Sequence, residues 1–275
     1  MSPVTASGAG RAVTIAERER LGYRMPLALR CRAATTGRPV GDGLVAVAWP
    51  AEDPATTAAA VLSPVSATLG FGALAGLSSA ATRGFAPAGQ PIAWPAVVPR
   101  RYVVRVLDVA RPGRYLPTVL ALDVPAPAPV VVDLYDAPTA PASSGWASVV
   151  GEVRRTGATS GISHAVVEVA ADGTTYRGVA DEAGRFALHI PYPEALPPLG
   201  AGPAAVPSWP VAIAVRAQPG SLARAPGTTG SDPPTQESIL CQATAIIRLG
   251  APQPSITQTL RLHEALVLIL PVDPA

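Results

Sequence analysis

Residues 149–188, VVGEVRRTGATSGISHAVVEVAADGTTYRGVADEAGRFAL, alternate apolar and polar positions in short runs separated by turn-forming pairs. A period of two places successive side chains on opposite faces of an extended chain, so the stretch reads as half-buried strands. Ala147, Val149, Gly151 and Val153 share one face, with Ser148, Glu152 and Arg154 on the other. The turn 156–161, with Gly157 at its start, leads to Ala165, Val167 and Val169, from which Glu168 points away. Asp172-Gly173 is a two-residue hairpin signal, since both residues tolerate the φ > 0 that such a turn needs. The next turn, Asp181-Glu182-Ala183-Gly184, delivers Phe186, Leu188 and Ile190 inward. Asp181 is read there as a turn-former that bonds neighbouring amides, and Gly184 as the supplier of φ > 0.

The same logic orders the rest of the chain. Its 275 residues exceed the size at which one core usually stops growing, which predicts two domains. Residues 1–23 read as a flexible N-terminal arm, in which Glu17-Arg18-Glu19-Arg20 makes at most one helical turn. From Met25 to Ala33, Leu27, Leu29 and Cys31 oppose Arg30 and Arg32. Leu44 to Trp49 is apolar on both faces, as expected of a central strand. Segment 50–99 carries seven prolines and the small-residue run Ser66 to Ala81 and breaks the pattern, so it is expected as a long insertion. Strands resume at 101–107, 115–124 and 130–135. The Pro/Ala/Ser-rich piece 137–145 reads as a linker between domains spanning 24–136 and 146–275. Beyond Ile190 the reading is a Pro/Gly-rich loop to about 208, a strand 211–216, a polar loop 219–236, a strand 238–249 and an apolar end. In Leu266-Val267-Leu268-Ile269-Leu270 both faces are apolar, which predicts a central strand or one lying against another chain.

Val150-Gly151-Glu152-Val153, Thr156-Gly157, Ala165 to Val169 and Asp181-Glu182-Ala183-Gly184-Arg185-Phe186 together resemble the carboxypeptidase regulatory-like domain, a transthyretin-like β-sandwich. The resemblance covers about 45 residues and implies an accessory module without catalysis of its own, with Gly151, Gly157, Asp181, Gly184 and Phe186 as fold-defining positions. Residues 30–49 and 151–170 share a strand, a Thr-Gly turn, a polar spacer and a Val-rich strand. The expected fold class is therefore all-β: two tandem sandwiches, immunoglobulin-like or transthyretin-like, with long Pro/Ala/Gly-rich loops. As a whole chain, the arrangement is similar to accessory structural proteins of phage-tail-like contractile injection systems.

Chemistry is sparse. His164, His189 and His263 lack zinc-ligand spacing, Gly161-Ile162-Ser163-His164-Ala165 does not form a nucleophile elbow, and Gly70-Phe71-Gly72-Ala73-Leu74-Ala75-Gly76 has neither the spacing nor the lysine of a phosphate loop. No catalytic, cofactor-binding or metal-binding residue is assigned. All 21 basic residues are arginine, scattered at a net charge of +2, which argues against nucleic acid. With no secretory core or membrane-spanning run, a cytoplasmic location without membrane insertion is expected. Cys31 and Cys241 are expected as buried, reduced thiols. Three readings remain. One is a structural subunit whose partners are other proteins of an assembly, copies of itself among them. Another is a carbohydrate- or peptide-binding module using exposed aromatics, with Trp94, Trp209 and Phe71 as the candidate contact residues. The third is an enzyme, which requires loops 50–99 and 197–236 to converge on a pocket.

Overall fold

The computed structural model describes residues 19–77, 83–87, 90–94, 96–109, 113–142, 145–192 and 207–275. Glu17, Arg18 and residues 193–206 of the loop after Ile190 lie outside them. The first half contains β1 (Glu19–Tyr23), β2 (Leu27–Ala33), β3 (Leu44–Pro50), β4 (Ala58–Ala59), β5 (Val61–Ser63), β6 (Thr68–Phe71), β7 (Arg83–Pro87), β8 (Arg100–Asp108), β9 (Thr118–Val124) and β10 (Val130–Leu134). Two four-stranded sheets, β10-β2-β6-β5 and β4-β3-β8-β9, enclose a core that includes Leu27, Leu29, Cys31, Leu69, Phe71 and Tyr102. The alternation predicted for β2 is met: Leu27, Leu29, Cys31 and Ala33 are buried while Arg30 and Arg32 are exposed.

The second half contains β11 (Trp146–Arg155), β12 (Val166–Ala171), β13 (Thr174–Val179), β14 (Arg185–Pro191), β15 (Ser208–Arg216), a short helix α1 (Gln236–Leu240), β16 (Ile246–Ile247), β17 (Ser255–Arg261) and β18 (Leu266–Asp273). The sheets β14-β11-β18-β16 and β13-β12-β15-β17 pack around Val149, Val153, Val167, Phe186, Leu188 and Ile213, with their neighbours. The chain is thus all-β, with tandem β-sandwiches.

Turn chemistry fixes the strand order locally. Asp172 (φ 46°) and Gly173 (φ 73°) form the whole connection between β12 and β13, and Ala171 pairs directly with Thr174. The Asp181 carboxylate accepts from the amides of Ala183 and Arg185, each at 2.9 Å, and its other oxygen takes the Arg185 guanidinium at 2.8 Å. Gly184 adopts φ 80°, and a Cβ there would lie 2.7 Å from the Val153 carbonyl oxygen and 2.6 Å from Gly161 Cα. Gly157 also has positive φ, at 75°. Gly151 is needed for a different reason: an added Cβ would strike the backbone of Leu268, its partner on β18.

Four expectations change. Segment 50–99 supplies β4 to β7. Of these, β6 pairs with β2 and β5 with β6, so the small-residue run enters the first sandwich instead of leaving it. Small side chains weaken the period-two signal without preventing strand pairing. Glu19 and Arg20, expected in a flexible arm, begin β1, which pairs antiparallel with β7 from Glu19↔Pro87 to Tyr23↔Arg83. The strand expected at 238–249 is instead α1 followed by the short β16: Thr235 caps the helix by accepting from the Ser238 amide. Cys241 consequently ends the helix on the surface, exposed rather than buried.

Candidate functional site: the seam between the sandwiches and the outer face of β18

The chain between β15 and β16 folds back onto the first sandwich. Trp49 Nε1 donates to the Pro226 carbonyl at 2.9 Å, Arg105 donates to buried Asp232 at 2.9 Å, and Gln236 donates to the Asp133 carbonyl at 2.6 Å. Apolar contact reinforces this seam, with Trp49, Val103, Val119 and Ala225 in one cluster and Tyr135, Val166, Val179 and Ile239 in another. Desolvated polar groups at such a contact are costly unless paired, and these three donors are paired, although the buried Arg105 Nε has no hydrogen-bond partner among the described residues. Burial raises the Asp232 carboxyl, but the Thr229 amide, the Arg105 guanidinium and the Thr229 hydroxyl outweigh it and hold the group below the usual carboxylate range.

Two clefts open along the seam. The first, about 390 Å³, is mainly apolar and is bounded by Leu116, Val119, Tyr135, Val179, Pro234 and Ile239, with His164 and Glu182 at its polar side. Burial lowers the pKa of His164 and pushes the Tyr135 hydroxyl up to about 12. Both groups are therefore held in their neutral forms. Asp181 and Arg185 also border this cleft, but their charges are spent on each other and on the turn. No described residue of 50–99 lines it.

The second cleft, about 670 Å³, is polar. Its walls come from the turn 35–40, from Arg114 and Tyr115, from the connecting segment 136–141, and from Trp146 and His189. His189, on β14, places Nδ1 3.1 Å from a carboxylate oxygen of Asp136, and both side chains are largely buried. The histidines otherwise stay apart, and no group of three metal-ligating side chains occurs among the described residues.

The third feature is the outer face of the β14-β11-β18-β16 sheet. β18 is flanked by β11 and β16, as one reading of its doubly apolar pattern required. Its outward side chains Val267 and Ile269 are nevertheless 70% and 55% exposed. Val150 pairs directly with Val267, and Ile246 lies at the far side of the same sheet at 37% exposure.

The proposed contact aromatics fare differently. Phe71 is fully buried in the first core, and Trp209 is 7% exposed with its ring centroid 5.3 Å from that of Tyr192, so neither is an exposed contact residue. Phe71 stands on the inward parity of β6 with Leu69, a periodicity hidden by the flanking glycines. Trp94 is half-buried and lines neither seam cleft. Phe85 on β7 is the more exposed aromatic, at 70%, and lies in a short Gly/Ala/Pro-flanked run that carries no sequence signal of exposure. Cys31 is enclosed, and burial pushes its thiol up to about 12, far from a reactive thiolate.

No protein-family model matches the chain. No curated protein matches it. Among solved structures, it is similar to the shaft pilin SpaA from Lactobacillus rhamnosus GG, at 8% identity and a TM-score of 0.26 over 91% of this chain and 98% of that one. It is also similar to a streptococcal ancillary pilin, at 12% identity and a TM-score of 0.21 over 96% of this chain and 65% of that one. At these scores the alignments assign no function.

Proposed function

We propose that this protein is a non-enzymatic structural subunit of a larger assembly, built from accessory sandwiches of the carboxypeptidase regulatory-like kind and working in the cytoplasm as part of a phage-tail-like contractile particle. The observation that carries the reading is the outward patch of Val267 and Ile269 on β18, with the half-buried Val150 beside Val267 on β11. A one-sided antiparallel or mixed sheet normally presents polar residues to water. Here neighbouring strands present aliphatic ones, bordered by Glu152, Arg154 and Arg185, and such rimmed apolar patches mark protein contacts. The rim carries both signs of charge, which suits a protein neighbour.

The test is light scattering of the native protein and of Val267→Asp, with mass spectrometry of co-purifying chains. Association with itself or with identified tail or sheath proteins, lost in the variant at unchanged thermal stability, is the expected result. A strict monomer with no such companions overturns the proposal. A second reading, a saccharide-binding module, is favoured by one observation, the polar cleft at the seam.

A further inference from the structure

Two arginines line the polar cleft. Many described arginines, Arg32, Arg105 and Arg185 among them, lie within 4 Å of a carboxylate oxygen. Arg38 and Arg114, which reach the same cleft from two separate turns, have no such partner among the described residues. Arg114 instead stacks over Tyr115, its guanidinium carbon 4.9 Å from the ring centroid. The one acid in the wall, Asp136, is engaged by His189. Two arginines against the one carboxylate of Asp136 leave the lining net positive, which favours an anion.

The walls are fixed before any ligand arrives. Ala33 and Arg38 close the first turn through the Ala33 amide to the Arg38 carbonyl at 2.9 Å, and the Arg38 amide donates to the Thr36 hydroxyl at 3.0 Å. The strip carrying Arg114 is zipped to the connecting segment: the Leu116 amide donates to Tyr135, the Ala137 amide to Arg114, and the Thr139 hydroxyl to the Gly113 carbonyl. Ordering costs on binding are correspondingly small.

The remaining wall chemistry narrows the anion. Thr35 offers a hydroxyl, Thr36 and Thr139 offer the hydrogen-bonding capacity left after their bonds to the Arg38 amide and the Gly113 carbonyl, and the half-buried indole of Trp146 lines the same cleft. A ligand with alternating hydroxyl edges and C–H faces satisfies both. We propose that this cleft binds a carboxylate-bearing saccharide, with Arg38 and Arg114 taking the carboxylate and Trp146 stacking on a sugar ring. The guanidinium fork suits a carboxylate because it donates two parallel hydrogen bonds. The proposal rests on the second reading above, and its failure leaves the subunit reading untouched, because that reading is tested at β18.

The experiment is isothermal titration of the full chain with trigalacturonate, neutral maltotriose and inorganic phosphate at low salt. Saturable binding of trigalacturonate is expected, at least about tenfold tighter than maltotriose and weakened at least about tenfold by Arg38→Gln, a charge-assisted pair being worth roughly that much. Arg38 is exposed, so this variant keeps its fold even if Arg38→Gln/Arg114→Gln does not. Trp146→Phe is expected to retain binding better than Trp146→Ala. Absent binding, equal affinity for maltotriose, binding of phosphate alone, or an unchanged affinity in Arg38→Gln overturns the proposal.

Discussion

Phe71→Ala separates the core position seen in the structure from the surface position expected of an aromatic in a Gly-rich run. Phe71 ends β6 opposite Leu27, shares the first core with Leu29, Leu69 and Tyr102, and is fully buried. Removing its ring returns on the order of 150 Å² of apolar surface to the ledger. At about 25 cal/mol per Å² that is roughly 4 kcal/mol, an upper bound because unfolded chains already bury some surface. The cavity left between two facing sheets adds to the loss, and Phe→Ala changes in cores cost about 3–5 kcal/mol. Urea unfolding followed by circular dichroism and tryptophan fluorescence measures it. A cost near 3–5 kcal/mol is expected for Phe71→Ala, and a smaller one, on the order of 1 kcal/mol, for the volume-sparing Phe71→Leu. Surface substitutions stay within about 0.5 kcal/mol. A Phe71→Ala cost in that range means that β6 does not occupy the core.

Two further outcomes follow from the turns and the seam. Gly184→Val is expected to prevent or severely weaken folding, because it combines φ 80° with backbone atoms at 2.6–2.7 Å, whereas Gly157→Ala meets only the φ penalty in open space and should cost about 1 kcal/mol. Comparable effects in the two variants, read by thermal melting, contradict the close approach at Gly184. Asp232 has a depressed carboxyl pKa when folded, so its stabilising share is complete above the unfolded value of 3.8 and is lost as pH falls through the lower folded value. The stability difference between the native chain and Asp232→Asn should therefore hold from neutral pH down to about 5 and shrink below about 4, and a difference that grows on acidification refutes the ion pair with Arg105.

Legibility in the sequence tracked locality. The β12–β13 hairpin needs two residues and a period of two, both visible in VAADGTTY, and the Asp181 turn closes within four residues. β2 was readable because arginines alternate with large aliphatic side chains. β6 was not, because a strand of Thr, Leu, Gly and Phe flanked by alanine and glycine offers no polar face to alternate against. The helix at 236–240 carries a strand-like pattern, because Ile239, Cys241, Ala243 and Ala245 fall on one parity. Its start signal was the capping residue Thr235, which competes with that pattern and wins once the segment docks on the first sandwich.

The seam was illegible for a different reason. Trp49 and Pro226 are 177 positions apart, and Gln236 and Asp133 are 103 apart. Neither pair leaves a local trace, since a tryptophan in a strand and a glutamine after a threonine fit many environments. Yet this is where side chains from separate units converge. The strands hold their own alternating faces against their own cores, so groups able to face a common ligand come from the ends of sheets and from the connection between them. Arg38 follows β2, Arg114 precedes β9, Asp136 lies in the connecting segment, and Trp146 and His189 pave the outer edge of β11 and β14. Read singly, each is a turn residue, a linker residue or a solvated strand position. Only the fold of the connection back over the second sandwich brings them to one cleft, and no spacing along the chain encodes that meeting.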